Sequence, residues 1–261
     1  MRRFSKSLLI FLAPITLFVL IFVGFILGIS KIVISHSNQY NFKENIELLF
    51  LGDSHITNAV IDSVVPNFLN LSKRSEPYYY TLQKLKFVSK KTKIQKVILG
   101  FSNHNITAYY DEFVNGNLSL VIPHKLFFAL NFKEKLRVLN WNKSKLLSLI
   151  KKIVLSAYYQ YNNDEESKLE YWFSDGFYNS FNKSEANISA INKRINFQFY
   201  TSKSLNKLSD LNLVYLKEII FFCNDKNIEL IFLKTPLHQE YYSRIPELFK
   251  SRYKNLINEN N

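Results

Sequence analysis

One cysteine, Cys223, stands in 261 residues, so there is no disulfide framework and no cysteine-based zinc finger, and stability has to come from packing. Six glycines and six prolines exclude collagen-like, proline-rich and Gly/Ser-repeat chains. Acidic residues are scarce: 21 Asp and Glu face 34 Lys and Arg, and the resulting charge of +13 suits nucleic acid, anionic lipid or an acidic polymer equally well. What is abundant is apolar. With 47% hydrophobic and 16% aromatic residues the chain can bury one well-cored domain, which excludes disorder as its dominant state. The heavy use of Lys, Asn, Ile, Phe and Tyr matches the bias of an AT-rich genome, so part of the positive charge is discounted as drift.

Charge is also missing from one long stretch. Leu8–Ile29 runs for 22 residues without an ionisable side chain, which as a helix is long enough to cross a ~30 Å hydrocarbon core. Arg2, Arg3 and Lys6 precede it and only Lys31 follows closely, so the positive-inside rule leaves the amino terminus in the cytoplasm and the bulk of the chain outside. A cleaved signal peptide would have a shorter apolar core, ~7–15 residues, and an Ala-x-Ala-like site behind it; an uncleaved anchor is favoured. That placement removes nucleic acid as the partner of the basic surface and turns it towards the cell envelope. The expected division is a cytoplasmic amino terminus and anchor in residues 1–31, a polar tether in 32–45, and one domain over 46–261.

Within that domain, Ile46–Leu51 is a short apolar run closed by Gly52, and Lys96–Gly100 and Ile228–Leu233 are runs of the same kind. Tyr78–Lys90 and Leu211–Cys223 precede the second and third with apolar residues at helical spacing. Helices between fully apolar strands imply right-handed crossovers and a parallel sheet, hence an α/β fold. Between about 109 and 209 the pattern changes to Lys/Asn/Leu-rich helical stretches such as Lys133–Tyr161, followed by aromatic segments around Tyr171–Phe181, and reads as a helical insertion. A further helix is expected over Pro246–Ile257.

The sharpest signal directly follows the first strand: Gly52-Asp53-Ser54-His55. A serine at the carboxyl end of the first strand sits where α/β sheets place their ligands. Glycine permits a tight turn, Asp53 can hold the following amides, and Ser54 then stands near backbone N–H groups able to stabilise an oxyanion.

The motifs Phe50–His55 (FLGDSH), Asn70–Pro77, Val97–Asn105 (VILGFSNHN) and Lys234–Tyr242 (KTPLHQEYY) together resemble the SGNH, or GDSL-like, hydrolase superfamily, in particular its membrane-anchored envelope members. The resemblance covers most of residues 46–249. It implies a flavodoxin-like three-layer α/β/α sheet with Ser54 as nucleophile. Ser72 or Ser75 would lend an oxyanion-hole amide and Asn103 or Asn105 the oxyanion-hole side chain, although the usual Gly-x-Asn-Asp is absent. The superfamily's closing Asp-x-x-His block is absent too, so either His238 serves as the base or the chain is a shortened member without one. The chemistry implied is acyl-ester hydrolysis or O-acyl transfer on envelope polysaccharide, with no cofactor; the alternative is a non-catalytic, glycan-binding or truncated relative. The partners expected are membrane lipid, through residues 8–29, and acylated polysaccharide.

Other polar residues invite blander readings. Asp53 beside the nucleophile is expected to brace the turn, His104 to shape the pocket, and His55 to point away from Ser54. No His-x-x-His or His-x-x-x-His pair exists, so no metal is expected. Tyr78–Tyr80 and Tyr171–Phe173 could stack on sugars but read better as core, Asp175 reads as a turn, and the lysines of Lys84–Lys96 read as a solvated helix face.

Overall fold

Branched and aromatic residues, interrupted by the exposed Glu47, make the strand formed by Asn45–Leu51 (β1), in which Leu49 and Leu51 are fully buried. The computed structural model describes residues 2–60, 67–162 and 187–260, so the expectations for Tyr171–Phe181 and Asp175 lie outside the described residues. Phe68–Asn70 forms β2 and Lys93–Gly100 forms β3; after a two-stranded hairpin, Tyr200–Thr201 (β4) and Ser204–Leu205 (β5), Glu229–Leu233 forms β6. The main sheet has the order β2-β1-β3-β6 and every neighbouring pair is parallel. The fold is α/β, and this order is consistent with a flavodoxin-like sheet, in which direction reverses on either side of β1.

The helices are α1 (Arg2–His36), α2 (Ser54–Ala59), α3 (Tyr78–Val88), α4 (Pro123–Leu126), α5 (Phe132–Trp141), α6 (Leu146–Asn162), α7 (Ile188–Phe199), α8 (Leu211–Asp225), α9 (Gln239–Ser243) and α10 (Glu247–Asn260). The steps β2–α3–β3 and β3–α8–β6 run in the same direction across the sheet. Right-handed crossovers then put α3 and α8 on one face, where they pack against each other. Tyr78, Tyr79, Tyr80, Leu82 and Leu85 of α3 are buried, so the tyrosine triplet is core. The helical stretch expected over Lys133–Tyr161 is instead two helices: α5 ends at Asn142, whose side-chain amide donates to Val138 O at 2.9 Å, and a short 3-10 turn at Lys143–Lys145 redirects the chain.

Two sequence expectations change on packing. The lysine-rich face is not wholly solvated: Lys84 is fully buried, its Nζ donating to Glu76 Oε2 and to Leu71 O, both at 2.5 Å. The polar segment after the apolar run is not a free tether either. Helix α1 continues to His36, Val33 and Tyr40 join the core, Tyr40 donates to Gln160 Oε1 at 2.7 Å, and Ser30 accepts from the buried Lys135 Nζ at 2.9 Å.

Upstream of Ile26, α1 carries Phe11, Leu17, Leu20, Ile21 and Phe25, each more than half exposed. Among the described residues no helix is long and apolar enough to cross a membrane; the side chains at 2–10, 15, 18, 19, 23 and 27 lie outside that set.

Candidate active site

Glycine shapes the carboxyl edge of the sheet. Gly52 turns the chain out of β1 with φ +134°, and a Cβ there would stand 3.1 Å from the backbone of Gly100 at the end of β3. The two strand ends therefore approach closely, and the loops that follow them, 52–55 and 101–106, meet. Asp53 leaves the turn extended and caps α2, its Oδ1 accepting from His55 N at 2.9 Å.

The other carboxylate oxygen gathers the second loop. Asp53 Oδ2 accepts from His104 Nε2 at 2.6 Å, from Asn105 Nδ2 at 2.8 Å and from the Tyr110 hydroxyl, all of them buried. Burial pushes the Asp53 carboxyl up, but the His104 charge and hydrogen bond, helped by Tyr110, more than offset it and hold the group well below the usual carboxylate range. Asp53 does brace the turn, and it also ties β1 to β3. The His55 ring lies 4.5 Å from that of His104, centroid to centroid, and its Nδ1 is 3.1 Å from Thr235 Oγ1 at the end of β6. Burial first, and then the His104 charge, bring the His55 imidazole down to about 4, so it is neutral at neutral pH.

In front of this anchor lies a cavity of about 440 Å³, lined by Ser54, His55, Arg194, Thr235, His238 and Tyr241, among others. Ser54 and His238, 184 positions apart in the chain, thus share one cavity at the carboxyl ends of β1 and β6. His55 lines it too. The Ser54 hydroxyl makes no hydrogen bond among the described residues. His238 caps α9, its Nδ1 accepting from Glu240 N at 3.2 Å. In the neutral imidazole that leaves the proton on Nε2.

Three of the four expected oxyanion-hole residues, Ser72, Asn103 and Asn105, are otherwise engaged. The Ser72 amide and hydroxyl both donate to Asn70 Oδ1, at 3.0 and 2.5 Å. Ser75 sits in the left-handed region, at φ 59°. Asn105 holds Asp53 and, through Oδ1, the Ser102 amide. Asn103 donates to Phe249 O at 3.3 Å and lines a different cavity.

Arg194, Gln198 and Tyr241 also line the cavity, and no sequence pattern singles them out. They arrive because α7, inside the insertion, lies against α9, where the Tyr241 hydroxyl donates to Gln198 Oε1 at 2.5 Å. Arg194 is the cavity's permanent cation; among the described residues no carboxylate pairs with it, and no acidic side chain lines the cavity.

Asp53, His55 and His104 bring potential metal-ligating atoms within 4.8 Å of one another. Three hydrogen bonds already crowd Asp53 Oδ2 and one more engages Oδ1, however, and the 2.6 Å contact to His104 is a hydrogen-bond distance. A cation would have to displace those donors, so this arrangement does not fit a metal ligand set. No family model, no curated protein and no solved structure matches the chain. The likeness to the SGNH hydrolases therefore rests on the motifs.

Proposed function

We propose that this chain is a membrane-anchored acyl-ester hydrolase or O-acyl transferase of the SGNH type, acting on acylated envelope polysaccharide outside the cytoplasm, with Ser54 as its nucleophile. The observation that carries this reading is the meeting of Ser54 with His238 and Arg194 in one cavity at the point where the strand order reverses. Ser54 Oγ attacks the acyl carbonyl and passes its proton to His238; the negative charge on the carbonyl oxygen is met by Arg194. The alcohol leaves with the proton from His238, and the acyl-serine is then resolved by water in a hydrolase or by a sugar hydroxyl in a transferase. No step calls for a cofactor. The anchor is Leu8–Ile29, one uncharged stretch inside the 35-residue α1, and the bare apolar side chains upstream of Ile26 support it.

A second reading has its own observation. Because His238 spends Nδ1 on the Glu240 amide, its Nε2 cannot accept a proton unless the cap is given up. With the cap kept, the cavity binds an acylated glycan without turning it over. Labelling of the full-length, detergent-solubilised chain with a fluorophosphonate, which reacts only with activated serines, separates the two. Labelling that disappears in Ser54→Ala is expected for the enzyme. A folded chain that stays unlabelled overturns catalysis in favour of binding.

A further inference from the structure

A second cavity, of about 540 Å³, shares no lining residue with the first and is lined by Asn103, Lys234, Tyr242, Lys250, Tyr253 and Lys254, among others. Three lysines face it against one carboxylate, Glu247, which stands 3.8 Å from Lys250. Lys234 and Lys254 have no carboxylate partner among the described residues. Lys234 instead lies over two aromatic rings, 5.0 Å from the centroid of Tyr242 and 5.1 Å from that of Tyr253, and Lys250 lies 5.2 Å from Tyr242. Tyr253 is fixed by its hydroxyl bond to Phe101 O at 3.1 Å, whereas Tyr242, beneath both lysines, is 41% exposed.

The floor of this cavity carries a separate sign. Asn103 is 1% exposed, its Nδ2 is held by Phe249 O, and its side-chain oxygen is buried with no hydrogen-bond donor. A buried acceptor left in that state is destabilising and marks a site where a donor is missing. Cations at the rim, an aromatic face beside them and an unfilled acceptor behind them ask for one kind of molecule. It needs an anionic group for the lysines, a C–H face for Tyr242 and a hydroxyl to donate to Asn103.

We propose that this cavity is a binding site for an anionic carbohydrate, a sugar or polyol that carries a carboxylate or a phosphate. The site does not depend on Ser54 chemistry, and it would hold a charged polymer against the domain whether or not the first cavity is catalytic.

The test is saturation-transfer NMR and calorimetry on the full chain in a neutral detergent, with D-glucuronate, glycerol 3-phosphate, inorganic phosphate and uncharged glucose as probes. Glucuronate or glycerol phosphate is expected to bind more tightly than both glucose and inorganic phosphate, and which of the two prevails identifies the anion. Lys234→Gln with Lys254→Gln, both at exposed positions, is expected to weaken that probe about fivefold or more without lowering the melting temperature. Asn103→Asp, which sets a like charge at the floor, is expected to weaken it as well. Equal binding of glucose, phosphate binding as tightly as the sugar acid and the polyol phosphate, or an affinity untouched by the double lysine variant would each overturn the proposal.

Discussion

Asp53 Oδ2 lies 2.6 Å from His104 Nε2, and with both side chains buried this contact joins the loop that carries Ser54 to the loop that follows β3. Removing either partner leaves the other desolvated and uncompensated. Asp53→Ala is expected to cost about 3–5 kcal/mol, more than a cap alone would, and His104→Ala a comparable amount. In a double-mutant cycle followed by denaturant unfolding, the combined loss is expected to fall well short of the sum. Additive losses would mean that Asp53 acts through its cap of α2 and not through His104.

His55 gives a pH dependence of definite sign. It titrates at about 4 in the folded chain and near 6.5 when unfolded, so as pH falls the unfolded chain takes up the proton first. The stability associated with neutral His55 is intact above about pH 6.5 and drains away as pH falls towards 4, by at most about 3 kcal/mol. The charged groups around it, His104, Asp53 and Arg194, enter the same balance, and Asp53 itself stays ionised across this window. Thermal melts between about pH 7.5 and 5 are expected to show a falling melting temperature that flattens in His55→Gln. A wild-type slope equal to that of the variant would assign the acid sensitivity elsewhere.

Lys84 and Glu76 make a fully buried ion pair, with Thr81 Oγ1 donating to the second Glu76 oxygen at 2.8 Å. Burial drives Glu76 up and Lys84 down against the pull of their mutual attraction. Lys84→Met alone is therefore expected to destabilise the chain by about 3–5 kcal/mol, and Lys84→Met with Glu76→Leu to recover most of that loss, as measured by chemical denaturation. A double variant no better than the single one would locate the damage at Leu71 O, which also loses its donor.

These residues mark how far the sequence could be read. β1, β3 and β6 were legible because each holds a short apolar run, although β6, at the sheet edge, leaves Ile231 exposed, and α3 and α8 because their periodicity is helical. β2 was not: Phe-Leu-Asn is too short to show a pattern and is held in place only by pairing with β1. Lys84 sits in a run of lysines that differ only in what they meet after folding, and Glu76, eight residues earlier, carries no mark that it will be buried. Ser54 and His238 could be singled out because each follows a strand, and the segments beyond the carboxyl ends of a parallel sheet converge. Arg194 could not, because it comes from an insertion whose path over the sheet is set by tertiary contacts such as that of Tyr241 with Gln198.

The approach of the two strand ends depends on Gly100 having no side chain. A Cβ at this position would lie 2.6 Å from Ile56 Cγ1, the methylene next to the branch point of a fully buried residue that cannot swing aside. Gly100→Ala is expected to cost about 1–3 kcal/mol and to push α2, with Ser54, away from the sheet. Ile56→Ala in the same chain makes room for the methyl group, so the double variant is expected to lose less than the sum of the two single changes. A Gly100→Ala chain that melts with the wild type would show that α2 shifts without strain.

His238 has two possible occupations, cap and base, and one substitution separates them. Asparagine is among the best helix caps, and its side-chain oxygen can accept from the Glu240 amide as Nδ1 now does, yet it cannot take a proton from Ser54. His238→Asn is therefore expected to melt within a degree or two of wild type while losing fluorophosphonate labelling at Ser54, whereas His238→Ala loses labelling and, with the cap, about 1 kcal/mol. Retained labelling in His238→Asn would remove His238 from the chemistry. Ser54 would then have to be activated from the other side of the cavity, where His55 is the neutral imidazole within it, and His55→Gln would be the variant that abolishes labelling.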